Sequence, residues 1–596
     1  MSIISYRITP SNPNAHLFEV RCMLDDPDPA GQRFRLPAWI PGSYLIREFA
    51  RQFIDVRAEA DGVAVNIRKE AKDVWRADPA HGRLTVIASV YAFDLSVRTA
   101  YLDATRAYFN GPSVFLCPEG REASACLLDI APPVGDVYAH WRVAATLDTD
   151  GASPHGFGRY RASTYDELID HPVEMGDFAL AAFSAGGVRH EIAVTGRHDC
   201  DLERLARDLA RMCQCHIDLF GAPTPFARYL FQITALGDGH GGLEHRSSTS
   251  LLCRRDELPA RGDPAINDEY LHFLGLASHE YFHSWNVKRI KPEAFSPYDL
   301  SRENYTRQLW AFEGITSYYD DLALVRCGLI DVTRYLELLG RTVSAVLRTP
   351  GRLRQSVADS SFDAWIKFYR SDENSPNAVV SYYTKGSLVA LALDLALRQR
   401  KQGSLDSLMR TLWERYGQAG IGVPEDAIER IACEMGGDEM RAFFARYVHG
   451  TEDPPLDTLL DAFGIEWHLR PSTGANDGGG KAATGTLPKA SLGAKIGNDL
   501  KLLHVYSGGA AERAGLAAND VLVAIDGIRA SADAVNALMR RRSPGERIPV
   551  HAFRRDELVS VDVELLAAPL DTCHLALRTD APERAVALRN AWLQEA

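Results

Sequence analysis

The chain has 596 residues, 46% hydrophobic and 24% charged, the composition of a globular protein split into about three to five domains. A formal net charge of −13 argues against a general nucleic-acid or anionic-membrane binder, and no apolar run approaches the roughly 18 residues that cross a bilayer. The opening MSIISYRITPSNPNAHLFEV alternates like a strand and lacks a basic-then-apolar leader, so the expected setting is the cytoplasm, with ten scattered free thiols.

Residues 1–185 read as an all-β domain, because short alternating segments such as GRLTVIASVYAF and HWRVAATLD are separated by turn signals. From 186 to 470 helical periodicity takes over, as in DLERLARDLARMCQCHIDLF and KGSLVALALDLALRQR. One short strand, ARYLFQITAL, precedes a glycine-rich turn at Gly237–Gly242. Cys213, Cys215 and His216 sit at helical spacing with no second cysteine cluster and read as packing; Arg261-Gly262-Asp263 reads as a turn. Residues 471–489 are rich in Gly, Ala and Thr and read as a linker. Residues 490–567 return to a strand, short helix and strand pattern, and 568–596 form a tail.

The chemistry concentrates in ASHEYFHSWN. Asn267 or Asp268 can cap a helix through EYLHFLGLASHEYFHSWNV that ends near the basic, proline-stopped KRIKP. On it His279 and His283 lie one turn apart on one face, so both imidazoles can reach one ion. Neutral imidazole suits Zn²⁺, and a catalytic zinc takes three protein ligands and keeps a place for water, whose proton Glu280 can accept. Histidine at roughly 0.03 and glutamate at roughly 0.06 of residues give only about 0.03 chance matches in a sequence of this length. The bland alternative is a partly buried helix with two hydrogen-bonded histidines. His272, seven residues earlier, has no partner at ligand spacing and reads as packing.

A third ligand is available in NYTRQLWAFEGITSYYDDLALV, a second helix. Glu313 there sits among Leu309, Trp310 and Phe312, where a buried carboxylate is costly unless it is paired or bound to a cation. Gly314 beside it permits close helix approach; a surface glutamate at the helix rim is the competing reading. SYYTKGSLVALAL begins a later helix, and Tyr382 or Tyr383 could donate to a developing oxyanion or simply pack in the core. In GDGHGGLEHRSS, Gly241 and Gly242 would let backbone approach a ligand beside Glu244, unless the stretch is a plain surface turn.

In this order GGLEH, HEYFHSWNVKRIKP, LWAFEGITSYY and YYTKG resemble the glycyl aminopeptidases, zinc metallopeptidases of the gluzincin clan related to aminopeptidase N and leukotriene A4 hydrolase. PAWIPGSYLIREFARQF and AYLDATRAYFNGPSVFL resemble the same family's β-domain. The resemblance implies a multidomain α+β fold: an N-terminal all-β domain, a thermolysin-like, mostly helical catalytic domain and a C-terminal PDZ-like domain. It implies one zinc per molecule on His279, His283 and Glu313, with water as nucleophile and Glu280 as general base and proton shuttle. Tyr383 would hold the oxyanion, with Tyr382 as fallback, and Glu244 would hold the substrate's α-ammonium. Leu243 and His245 depart from the related Gly-x-Met-Glu-Asn pattern. The implied substrates are peptides with a free N-terminal glycine or alanine, and the PDZ-like groove would take an extended peptide or the carboxyl terminus of another protein. The competing functions are a zinc endopeptidase of the same clan and a peptide-binding adaptor on a degenerate peptidase fold.

Overall fold

The computed structural model describes residues 3–594. It divides into two compact units, Met1–Asn304 with Trp413–Val423, and Tyr305–Leu412 with Pro424–Ala596.

The first unit opens with the expected β-domain. Strand Ile4–Asn12 pairs antiparallel with Leu17–Leu24 and parallel with Cys126–Ile130, within an eight-stranded sheet. Alternation sends Ile4, Tyr6 and Ile8 into a core shared with Phe18, Phe34, Phe109 and Phe115. The border of this domain falls earlier than residue 185. Strand β1 (Ala179–Ala185) pairs with β2 (Val188–Thr195), which belongs to a different sheet. Alternation marks a segment as a strand but does not say which sheet receives it.

That second sheet has five strands, of which the sequence offered two, Ala179–Ala185 counted with the β-domain and Arg228–Leu236. With β3 (Arg228–Leu236), β4 (Gly241–Glu244) and β5 (Ser248–Arg254), the order is β1-β2-β3-β5-β4. Strands β2, β3 and β5 run parallel, and β4 closes one edge antiparallel to β5. Tyr229 through Ala235 are all buried, as expected of a strand covered on both faces, and such runs carry no period-two signal to separate them from helix. Helix α1 (Leu202–Phe220) joins β2 to β3, with Cys213, Cys215 and His216 turned inward and His216 Nε2 2.8 Å from Ser278 Oγ. The packing reading of that trio holds.

Ser278 lies on α2 (Asp268–Phe282). Asn267 caps this helix, its Oδ1 accepting from Tyr270 N at 2.8 Å. The helix ends at Phe282 rather than near KRIKP; the following backbone turns, with Asn286 N donating to Phe282 O at 3.2 Å.

The second unit is mainly helical, including α3 (Ile315–Arg326), α4 (Val332–Leu347) and α5 (Thr384–Gln399). Asp406 is buried between Arg326 and Arg398, at 3.0 and 2.7 Å. The final segment is not a loose tail. Thr572–Leu577 pairs antiparallel with Ile465–Arg470, and α6 (Glu583–Leu593) brings Trp592 Nε1 to Tyr318 OH at 2.8 Å. Residues 490–567 are therefore an insertion between two paired strands, with their own core of Leu502, Ile525, Val550 and Val563. The stretch expected to be a linker is anchored too, by Arg470 on Asp477 and by Gly480 N donating to Cys573 O at 2.8 Å. Hydrogen bonds and ion pairs, Lys481 to Glu337 at 3.5 Å among them, hold it, and composition reveals neither. Among the described residues no helix is long and apolar enough to cross a membrane.

Candidate active site

In the first unit, α2 presents His279 and Glu280, and His283 caps its carboxyl-terminal end. The two imidazole centroids are 4.6 Å apart, with their planes at 84°. His283 is buried, and its Nδ1 lies 2.6 Å from Asn286 O. An N–H donating to that carbonyl puts the lone pair on Nε2, the arrangement that orients a metal-binding histidine. Two neutral imidazoles suit zinc in donor chemistry.

Glu280 is also buried, and the strand opposite explains how it fits. Alternation along β4 sends Leu243 into the core of the β-domain and turns Gly242 and Glu244 the other way. A Cβ placed on Gly242 would overlap the Glu280 carboxylate. The expected glycine-rich turn is thus, from Gly241 onward, an edge strand, and Gly242 makes room for a side chain of the same unit. Gly241 lies near Arg98, 3.9 Å from a Cβ built on it.

Glu244 is 3% exposed, and its Oε1 has no hydrogen-bond partner among the described residues. An uncompensated buried carboxylate oxygen is costly and suits a cationic ligand. Gly42, at φ +91°, lies against it: a Cβ there would come within 2.5 Å of both carboxylate oxygens. Donor atoms of Glu244, Glu280 and His283 all lie within 4.8 Å of one another. His245 does not join this group. It is buried with Nδ1 3.4 Å from Asp170 Oδ1, and burial lowers its pKa. Asp170 also holds Lys288 Nζ at 2.6 Å. Burial opposes its ionisation, but Lys288, His245 and Arg246 outweigh this and hold its pKa well below the usual carboxylate range. Sequence reading missed Gly42, Asp170 and Lys288. Gly42 and Lys288 stand inside PAWIPGSY and HSWNVKRIKP, yet nothing local shows what they face.

In the second unit, Glu313 is 2% exposed and sits in a π-helical turn, Trp310–Gly314, directly before α3. Such turns recur at functional sites. Gly314 gives the close approach its sequence suggested: a Cβ there would lie 2.6 Å from Gly386 Cα, and one on Gly386 would lie 2.9 Å from Trp310 O. This glycine-to-glycine crossing sets the π-turn against the start of α5, where the two tyrosines stand. Tyr382 is sealed in the core, and burial pushes its phenol well above the ordinary range. Tyr383 is only half-buried; its ring stacks on Phe368, and its hydroxyl is 3.3 Å from that of Tyr369.

The Peptidase M61 N-terminal domain matches residues 5–177, and the M61 glycyl aminopeptidase domain matches residues 272–389. The aminopeptidase N family protein of Idiomarina loihiensis, known from a crystal structure, is 39% identical; the match covers 99% of this protein and 100% of that one, at a TM-score of 0.94. An M1 zinc metallopeptidase from Deinococcus radiodurans is 16% identical over 76% of this protein and 95% of its own length, at a TM-score of 0.48, too weak a likeness to bear on individual residues. Among curated proteins none matches. The protein belongs to the M61 glycyl aminopeptidase family and is a metallo-aminopeptidase, a hydrolase of peptide bonds.

Proposed function

We propose that the enzyme removes glycine, and alanine with it, from the free amino terminus of peptides, with one catalytic zinc ion held by His279, His283 and Glu313. The observation that carries this reading is the pair of buried carboxylates gathered at His283, with Glu280 against Gly242 and Glu244 against Gly42. One carboxylate serves the chemistry and the other the amine. Within the first unit the donor set is supported by the paired imidazoles of His279 and His283, and within the second by the burial of Glu313 in its π-helical turn.

Bound there, zinc would supply Lewis acidity, polarising the scissile carbonyl and easing the deprotonation of water. Glu280 takes the proton of the attacking water and returns it to the leaving amine. Tyr383 donates its hydroxyl to the developing oxyanion, a role its accessible position favours over sealed Tyr382. Glu244 accepts the α-ammonium. A blocked or internal peptide would leave that carboxylate unpaired, which favours exopeptidase over endopeptidase action. A buried Glu280 beside the histidines also counts against a degenerate adaptor, since binding a metal alone does not need it. The preference for glycine follows the family.

The insertion at 490–567 reads as a PDZ-like module. Strand Ala494–Ile496 pairs on one side with Leu502–Val505, and an extended peptide would add at its other side.

The test compares a glycyl peptide with its N-acetylated form. Turnover confined to the free amine is expected; equal cleavage of both would end the exopeptidase reading.

A further inference from the structure

We infer a second metal site at the amino-terminal half of α2, where His240, Glu257 and His272 form a solvent-facing set of two imidazoles and one carboxylate for a divalent ion of the zinc class. The three residues come from separate elements of the first unit: the turn before β4, the short 3-10 turn Arg255–Glu257 after β5, and α2 itself. Their ligand atoms lie within 4.8 Å of one another. The expected packing role of His272 does not hold, because its side chain is 55% exposed and its partners are distant in sequence.

Two features make this more than a chance grouping. Glu257 is 3% exposed although both histidines face solvent, and its Oε2 is fixed by accepting from Arg254 N at 2.9 Å. That leaves Oε1 directed at His272 Nδ1, 3.0 Å away. The imidazoles of His240 and His272 stack with centroids 4.2 Å apart and planes at 18°, which brings both rings to the Glu257 carboxylate. Two imidazoles with one carboxylate select zinc or its transition-metal neighbours over magnesium or calcium. Water would fill the remaining positions.

The probe is zinc itself. Full-length protein is dialysed against micromolar zinc, and bound metal per molecule is counted for the wild type, His240→Ala and His272→Ala, with circular dichroism checking the fold. Loss of one ion per molecule in the variants is expected, and should His272→Ala fail to fold, His240→Ala on its exposed turn decides alone. Equal counts in the wild type and the folded variants overturn the site. Neither result depends on the ion proposed at His279 and His283, because the comparison reads a difference. His283→Ala, run in parallel, is expected to remove a different ion and to leave the one at His240.

Discussion

The two ends of α2 carry the same donor types in opposite settings. At the carboxyl-terminal end, Glu280 and His283 are buried, and a glycine of β4 is shaped around the carboxylate. Toward the amino-terminal end, His272 is open to water and borrows both partners, His240 and Glu257, from other elements. A buried carboxylate costs stability unless its charge is used, so the inner group is built for electrostatic work in a low dielectric. The outer group competes with water and suits reversible binding. Burial rather than residue type separates the two.

Glu280→Gln tests the inner group most severely. The amide keeps the shape and loses the basicity, so turnover of glycyl substrates should fall about 10³-fold with bound zinc unchanged. Metal lost along with activity would reassign Glu280 to holding the ion. The next largest effect concerns the ion pair beneath the site. Lys288→Met strips buried Asp170 of its nearest cation while Arg246 and His245 remain beside it, which should remove about 1–3 kcal/mol of unfolding free energy in urea. Because the folded pKa of Asp170 is depressed, the pair's contribution is complete above the ordinary carboxylate pKa and is lost as pH falls through the lowered value. The stability gap between wild type and variant should therefore close in strong acid, and a gap that stays constant would show the pair does no such work.

How far these settings were legible differs by element. The His279–Glu280–His283 spacing and the crowded surroundings of Glu313 could be read because helical periodicity relates residues close in sequence. The alternating β-domain was legible for the same reason. Three strands of the five-stranded sheet were not, because short apolar runs such as STSLLCR fit buried strand or helix equally. His272 was misread because His240 and Glu257 reach it only through tertiary folding. Likewise, Thr572–Leu577 looked like a tail since its partner strand lies some hundred residues earlier, across the insertion.

The smaller predictions ask whether the two inner carboxylates divide their labour. Gly242→Ala pushes a methyl into the Glu280 carboxylate and should lower kcat about 10²-fold, since a shift near 1 Å in a reacting group costs that much. Gly42→Ala acts on Glu244 instead. Its methyl would come within 2.5 Å of both oxygens, from a backbone at φ +91° that a side chain rarely adopts. If Glu244 holds the α-ammonium, displacing it should raise KM for glycyl peptides about tenfold, or about 1.4 kcal/mol, and leave kcat within a few-fold of wild type. Strain at residue 42 lowers the melting temperature, but global instability reduces the active fraction and cannot raise KM alone. A Gly42→Ala enzyme that loses kcat at constant KM would place Glu244 with Glu280 in the chemical step, and the division between amine anchor and base would fail.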